Sequence, residues 1–203
     1  MADADPAAGT ERYRRAIAAI DGANSEDPNR ITWRGEEHVK ELLHARMMTD
    51  WVQQLDPDAD ELQLIAARAH HLRRWARPRS DYPEGRAGYL RWRAAAKRFH
   101  ADEVAGLLRP LGYSDDEIER VGSIVRKEGL ASDPAVQTHE DALCLVFLAT
   151  QLGDVADRLG EAETVAVLAK TLPKLSARGV EAAKNLPLDD WGREMLGKAQ
   201  ATG

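Results

Sequence analysis

The chain has 203 residues, of which 43% are hydrophobic and 31% charged, and its formal net charge is −6. This composition is typical of a folded globular domain, and the negative charge argues against general binding to nucleic acid or to an anionic membrane. No apolar run approaches the roughly 18 residues that span a bilayer. The single cysteine, Cys144, excludes a disulfide framework and indicates a reducing compartment, so we expect a cytoplasmic protein.

The spacing of apolar residues predicts one helix after another. Aliphatic side chains recur every three or four residues, which is the pattern of helices that bury one face, and Ser114 and Glu117 have capping-box spacing. We find no alternating strand pattern and no internal repeat. The predicted helices cover 11–20, 35–55, 59–75, 89–108, 115–127, 138–159, 161–172 and 187–199. The fold class is therefore all-α, a single helical-bundle domain of about seven or eight helices.

The same pattern suggests how the chain is divided. Residues 1–10 are acidic and rich in alanine, without the basic start and apolar core of a signal peptide. We predict a disordered N-terminus over 1–10 and a helical domain over 11–172. Residues 173–203 are expected to form a C-terminal helical extension packed on that domain.

Positive charge is concentrated in one segment. Between Arg68 and Arg98 the sequence has nine arginines, one lysine and two acidic residues, a net charge of +8, so the rest of the chain carries −14. Such a segment needs an anionic ligand or acidic partner side chains. Both explanations stay open: a site for an anion, or arginines that pair with Asp and Glu across the fold.

Histidines and carboxylates provide candidate metal ligands. Imidazole and carboxylate groups suit Mn, Fe, Co or Zn, and helical bundles take metal ligands from several helices, so wide spacing is expected. We therefore predict one divalent metal ion, Mn, Fe, Co or Zn, although ordinary hydrogen-bonded histidines remain the alternative. The candidate ligands are His44, His70, His71, His100, Glu140 and Asp141.

The order of these groups resembles the HD-domain metal-dependent phosphohydrolases over about residues 36–150. His44-Ala-Arg-Met-Met-Thr-Asp-Trp and Ala66-Ala-Arg-Ala-His-His71-Leu are similar to the first two motifs of that superfamily. The segment from His100 to a Leu-Gly turn is similar to a later His motif, and Glu140-Asp-Ala is similar to the final Asp motif. The resemblance implies an HD-like helical fold with a metal-dependent phosphohydrolase activity.

Two positions depart from the HD pattern. His71 stands where the family has the aspartate that bridges to the metal and orients water, and Arg126-Lys127 stands where many members have a further histidine pair. Both departures point to at most one metal ion.

A second resemblance covers most of the chain. His71-Leu-Arg-Arg-Trp-Ala-Arg-Pro-Arg-Ser-Asp-Tyr-Pro-Glu-Gly-Arg-Ala-Gly-Tyr-Leu-Arg-Trp-Arg, with Lys97-Arg-Phe-His-Ala, resembles a family of uncharacterised bacterial and eukaryotic proteins often labelled glutamyl-tRNA synthetase-like. In that family the position of His70 is often not histidine, which favours His71 as a ligand. The synthetase label itself lacks support, because the chain has no nucleotide-binding α/β domain.

Two functions from different classes follow. The first is a divalent-metal-dependent phosphohydrolase that acts on a nucleotide or another small phosphorylated molecule, with Glu41 and Lys127 as assisting catalytic residues. Arginine forks bind phosphate well, and the candidate substrate-binding residues are Arg74, Arg79, Tyr82, Arg86 and Arg93. The second is a non-catalytic helical module that binds an anionic metabolite or RNA through the basic segment. The oligomeric state stays open.

Overall fold

Helices form most of the chain, and the all-α prediction is confirmed. The computed structural model describes residues 10–202, and within them there are more helices than the seven or eight expected. No helix in this range is long and apolar enough to cross a membrane. The helices are α1 (Glu11–Ser25), α2 (Lys40–Leu55), α3 (Glu61–Arg68), α4 (Gly85–Leu108), α5 (Asp115–Arg126), α6 (Pro134–Thr150), α7 (Leu152–Leu159), α8 (Glu161–Thr171), α9 (Ala177–Lys184) and α10 (Asp190–Thr202).

The region before α2 is a β-hairpin, where the sequence pattern predicted a loop followed by the start of a helix. Strands β1 (Arg30–Trp33) and β2 (Glu36–Val39) pair antiparallel around Arg34 and Gly35. Both turn residues have positive φ, 53° and 84°, which is the conformation of a tight two-residue hairpin turn. The prediction was wrong here because strands of four residues are too short to show clear alternation.

Several helix boundaries also differ from the prediction. The helix predicted over 59–75 ends at Arg68, and the chain continues through turns and a short 3₁₀ segment, Arg74–Ala76. The helix predicted over 138–159 is two helices, because Gln151 leaves the helical conformation. Helix α9 was not predicted as a separate helix, although it lies in the segment 173–203 that was expected to form a helical extension.

The capping box at the start of α5 is confirmed. The Ser114 hydroxyl accepts a hydrogen bond from the backbone N–H of Glu117, while the Glu117 carboxylate accepts one from the backbone N–H of Ser114. This reciprocal pair satisfies two N–H groups that a helix start leaves free. At the start of α1, the Thr10 side chain accepts a hydrogen bond from the backbone N–H of Tyr13. Residues 1–9 of the predicted disordered N-terminus lie outside the described residues.

The core lies where α2, α3, α5 and α6 meet. Helix α2 packs against both α3 and α6, α3 packs against α5, and α4 covers α5. Leu, Ile, Val and Met side chains fill this space, with Met48, Ile65, Ile124 and Leu145 fully buried. The C-terminal segment rests on this body through contacts of α9 with α6, while α10 packs against α8. Four helices thus bring their inner faces to one place.

Candidate functional site

Five of the six histidines gather in the interior. The ring centroids of His70 and His71 are 4.1 Å apart, those of His71 and His100 are 5.6 Å apart, and those of His70 and His139 are 6.4 Å apart. His44 also lies close enough to act electrostatically on His70. The groups come from α2, the turn after α3, α4 and α6. We call His44, His70, His71, His100 and His139 the histidine cluster.

Burial keeps these imidazoles neutral. It lowers the pKa of His44 and of His100 to about 4 and that of His139 to about 3, and it lowers those of His70 and His71 well below the ordinary value of 6.5. Desolvation penalises the imidazolium form, and neighbouring imidazoles and cations add to the effect. The cluster therefore presents uncharged nitrogens near neutral pH.

Several of those nitrogens have no hydrogen-bond partner. Both ring nitrogens of His70, Nε2 of His100 and Nδ1 of His139 are buried and unpaired. His100 is oriented by Nδ1, which donates to the Leu72 carbonyl at 2.8 Å and so leaves a lone pair on Nε2. His44 and His71 do have partners. Nε2 of His44 lies 3.2 Å from the Thr150 hydroxyl, and Nε2 of His71 contacts Arg74. Unpaired buried polar atoms destabilise a fold by about 1–3 kcal/mol each, so the four such nitrogens make the histidine cluster the candidate site.

His71 is the member that reaches solvent. Its side chain is 22% exposed, while His70 beside it is 4% exposed. Its Nε2 accepts from Nη1 of Arg74 at 3.0 Å, and its Nδ1 lies 3.7 Å from Oε2 of Glu41. The mouth of the cluster is therefore formed by one imidazole held between a cation and a carboxyl group.

Glu41 is a buried carboxyl group with a fixed position. Oδ2 of Asp27 accepts a hydrogen bond from the backbone N–H of Glu41 at 3.0 Å. Asp27 thus caps the start of α2, because the N-cap residue, Val39, has an apolar side chain that cannot accept a hydrogen bond. Burial, with a contribution from the negative charge of Asp27, raises the pKa of Glu41 to about 7. The carboxyl group therefore exchanges its proton near neutral pH, as a general acid or base must.

Lys127 and Glu140 form a buried ion pair beside the histidines. Nζ of Lys127 lies 2.5 Å from Oε2 of Glu140, and Nζ of Lys174 lies 3.9 Å from Oε1. Lys127 has a positive φ of 61° as the C-cap of α5, which turns its side chain inward at some backbone strain. Desolvation lowers the pKa of Lys127, and Glu140 opposes that shift. Two further cations, Lys97 and Arg93, act electrostatically on Lys127.

Asp141, a predicted ligand, is engaged elsewhere. Its carboxylate accepts hydrogen bonds from the backbone N–H and the hydroxyl of Ser176 and from the Gln137 side chain. Gly179 makes room for it, because a Cβ there would lie 2.8 Å from the carboxyl carbon. Asp141 therefore fastens the start of α9 to α6.

The predicted metal is not supported by the arrangement of donors. Within residues 10–202, no group of three or more His, Cys, Asp or Glu side chains is placed so that it could hold a metal ion. The unpaired nitrogens suit a transition metal chemically, but they do not converge on one point. The metal stays a prediction.

The arginine segment divides into two groups. Arg68 pairs with Asp21, Arg73 pairs with Glu103, and Arg79 donates to the carbonyls of Tyr82 and Pro83, so these three serve the fold. Pairing with acidic side chains therefore explains Arg68 and Arg73, while Arg79, a predicted substrate-binding residue, is held by backbone carbonyls of its own loop.

The second group faces the histidine cluster or the solvent. Arg74 contacts His71 and also lies over the Trp92 ring at 5.1 Å, and Arg93 lies over the Tyr89 ring at 5.6 Å. Arg86 is exposed near the start of α4. Of the predicted substrate-binding residues, the structure brings Arg74 and Arg93 to the site.

Sequence reasoning missed three groups that the fold adds, namely His139, Lys97 and Lys174. Lys97 had a usable signal, because it precedes His100 by three residues and therefore shares its helix face. His139 and Lys174 had none, because their place depends on how α6 and the segment before α9 pack.

The molecule is thus a helical domain with a buried, neutral histidine cluster. The partly exposed member of this cluster, His71, contacts both Arg74 and Glu41. Its sequence matches the family described as "Domain of unknown function (DUF4202)" over residues 14–196, and the chain belongs to that family. The expected membership of an uncharacterised family is confirmed in this form. No curated protein and no solved structure matches the chain.

Proposed function

We propose that this protein is a phosphohydrolase that acts on small phosphorylated molecules at the mouth of the histidine cluster. The observation that carries the proposal is the contact of Glu41 and Arg74 with the same partly exposed imidazole, His71, with buried Lys127 nearby. A proton-exchanging carboxyl group with cations beside it supplies the acid–base and electrostatic groups that phosphoryl transfer to water uses. The resemblance to HD-domain phosphohydrolases agrees with this assignment.

Each group has a role in hydrolysis. The oxygen of a water molecule forms a new bond to phosphorus while the P–O bond to the leaving group breaks. The neutral form of Glu41 gives its proton to the leaving oxygen, and the proton released by the water goes to the Glu41 carboxylate that this leaves, while His71 stays neutral between Arg74 and Glu41. Arg74 and Lys127 stabilise the charge on the phosphoryl oxygens, and Glu140 keeps Lys127 in place.

A non-catalytic anion-binding module is the second candidate. One observation favours it: Glu41, the carboxyl group that would exchange the proton with a bound molecule, is only 5% exposed. On this proposal the same cations, Arg74, Arg93, Lys97 and Lys127, bind phosphate without turnover. It differs from the first proposal in predicting saturable binding of phosphorylated molecules with no release of inorganic phosphate.

The test measures inorganic phosphate released from sugar phosphates and mononucleotides by the purified chain. We expect release by the wild type and a loss of about 100-fold or more in kcat for Glu41→Gln, the usual contribution of a general acid or base. Glu181→Gln is the matched control, because Glu181 is an exposed residue of α9 paired with Lys184. Wild-type activity of Glu41→Gln, or no phosphate release from any compound, would exclude the proposal.

Metal content is measured on the same preparation. Stoichiometric Mn, Fe, Co or Zn in protein purified without added metal, lost together with activity on chelation, would support the predicted metal. Full activity in a metal-free preparation would show that the protein groups alone carry the reaction.

A further inference from the structure

One face of α4 runs from the histidine cluster to the solvent. Tyr89, Trp92, Arg93, Lys97 and His100 are spaced three, four, eight and eleven residues from the first, so they share one side of the helix. We call these residues the α4 stripe. Its chemistry changes along its length, from imidazole through two cations to two aromatic rings.

The contacts show that the stripe is continuous. The Tyr89 and Trp92 ring centroids are 5.9 Å apart, and the Arg93 guanidinium lies 5.6 Å from the Tyr89 ring centroid. Arg93 also acts electrostatically on Lys97. A ligand lying along the stripe would therefore contact the cations Lys97 and Arg93 on the side nearer His100 and the aromatic rings at the opposite end.

The aromatic end is both held in place and open to solvent. Trp92 donates its indole N–H to the Arg77 carbonyl at 2.9 Å, and Arg74 covers its ring while also contacting His71. Tyr89 is 44% exposed, which is unusual for a large ring in this chain. Arg74 therefore links the aromatic end directly to the mouth of the histidine cluster.

The dimensions fit one class of compound. At about 1.5 Å of rise per residue, Tyr89 lies roughly 6 Å along the helix from Arg93 and roughly 12 Å from Lys97. That span corresponds to a phosphate group, a sugar and a planar base in sequence. Aromatic side chains and arginine guanidinium groups both stack on bases.

We propose that the substrate class is a nucleoside phosphate, with its phosphate held by Lys127 of the proposed site together with Lys97 and Arg93, which act electrostatically on Lys127, and with its base stacked on Tyr89 and Trp92. This inference rests on the proposed function for the phosphate end and adds a base subsite to it. A phosphorylated compound without a base uses only the cationic half of the stripe.

The test compares AMP with ribose 5-phosphate, which has the same phosphate and sugar but no base, by titration calorimetry on the full chain. We expect AMP to bind about ten-fold more tightly, near the lower end of what one stacked base contributes. Tyr89→Ala should remove that difference and leave ribose 5-phosphate binding unchanged, while Tyr89→Phe should keep it. Leu159→Ala is the matched control, because Leu159 is an equally exposed apolar residue on α7.

Each outcome decides one proposal or both. Equal affinities in the wild type, or a ten-fold preference that survives in Tyr89→Ala, would overturn the base subsite, and phosphate release from ribose 5-phosphate would leave the phosphohydrolase proposal standing. Tyr89-dependent binding of AMP without phosphate release would support the base subsite and exclude hydrolysis. Absence of binding by both compounds at millimolar concentration would overturn the base subsite, and the phosphate-release assay on other sugar phosphates would then decide the phosphohydrolase proposal separately.

Discussion

Lowering the pH from 7 to 5 should destabilise this protein strongly, because its buried imidazoles are neutral in the folded state. A histidine whose folded-state pKa lies below its unfolded value binds fewer protons when folded, so stability falls as the pH falls through that window. For His44, His100 and His139 the window runs from 6.5 down to about 4, 4 and 3. His70 and His71 shift in the same direction.

The magnitude follows from the shifts. Between pH 7 and pH 5 each of the three histidines with a stated value contributes roughly 2 kcal/mol of lost stability, or about 6 kcal/mol together. Glu41 opposes them: its pKa is raised from 4.5 to about 7, so its contribution destabilises the fold as the pH rises through that range. Its relief on acidification is worth about 2 kcal/mol. The net loss from these four groups is about 4 kcal/mol, and His70 and His71 add to it. This is a large part of the roughly 5–15 kcal/mol that usually separates folded and unfolded states.

The assay is urea unfolding at pH 7, 6 and 5, followed by circular dichroism. His139→Leu should remove about 2 kcal/mol of the pH-dependent loss, because it replaces one buried titrating ring by an apolar side chain. Val136→Ala, at a fully buried position of the same helix, should lower the free energy of unfolding equally at every pH. A free energy of unfolding that is constant between pH 7 and 5, or a full pH-dependent loss in His139→Leu, would refute the reasoning.

Two further predictions concern the supports of the site. Asp141→Asn should lower the free energy of unfolding by about 1–3 kcal/mol, because the amide cannot accept all the hydrogen bonds from Ser176 and Gln137 that the carboxylate accepts. Asp154→Asn on α7 is the control. An unchanged urea midpoint in Asp141→Asn would contradict the prediction. Gly88→Ala should displace the loop before α4, because a Cβ there would lie 1.8 Å from the Pro83 carbonyl oxygen. Its melting temperature should fall while that of Gly106→Ala, where the added Cβ meets nothing within 4 Å, should not, and equal melting temperatures would show that the close approach does not matter.

The helices with strong local signals were predictable. The Ser114–Glu117 capping box and the apolar spacing of α2 and α4 depend on residues a few positions apart, so the sequence contains the whole signal. The hairpin before α2 escaped because its strands are too short for periodicity. The break at Gln151 escaped because the apolar residues Leu148 and Leu152 continue across it at helical spacing. The start of α9 depends on the contact of Ser176 with distant Asp141, which the sequence does not reveal.

The candidate site was predictable only in part. His44, His70, His71 and His100 were singled out by residue type and order, and the structure brings them together. Asp141 and Glu140 are adjacent in sequence, yet one fastens α9 and the other pairs with Lys127. Neighbouring residues on a helix point about 100° apart, so only the packing around α6 separates their roles.

The sequence by itself determined that the protein is helical, that its net charge of −6 hides a strongly basic segment, and that histidine rather than cysteine is its chemically versatile side chain. Only the tertiary structure decided which of these side chains are buried close together and shielded from water. Burial at the junction of several helices makes the imidazoles neutral, raises the pKa of Glu41 and places Lys127 beside them. The physical reason is that pKa values and hydrogen bonds depend on three-dimensional neighbours and on exclusion of water, which residue order along the chain does not specify.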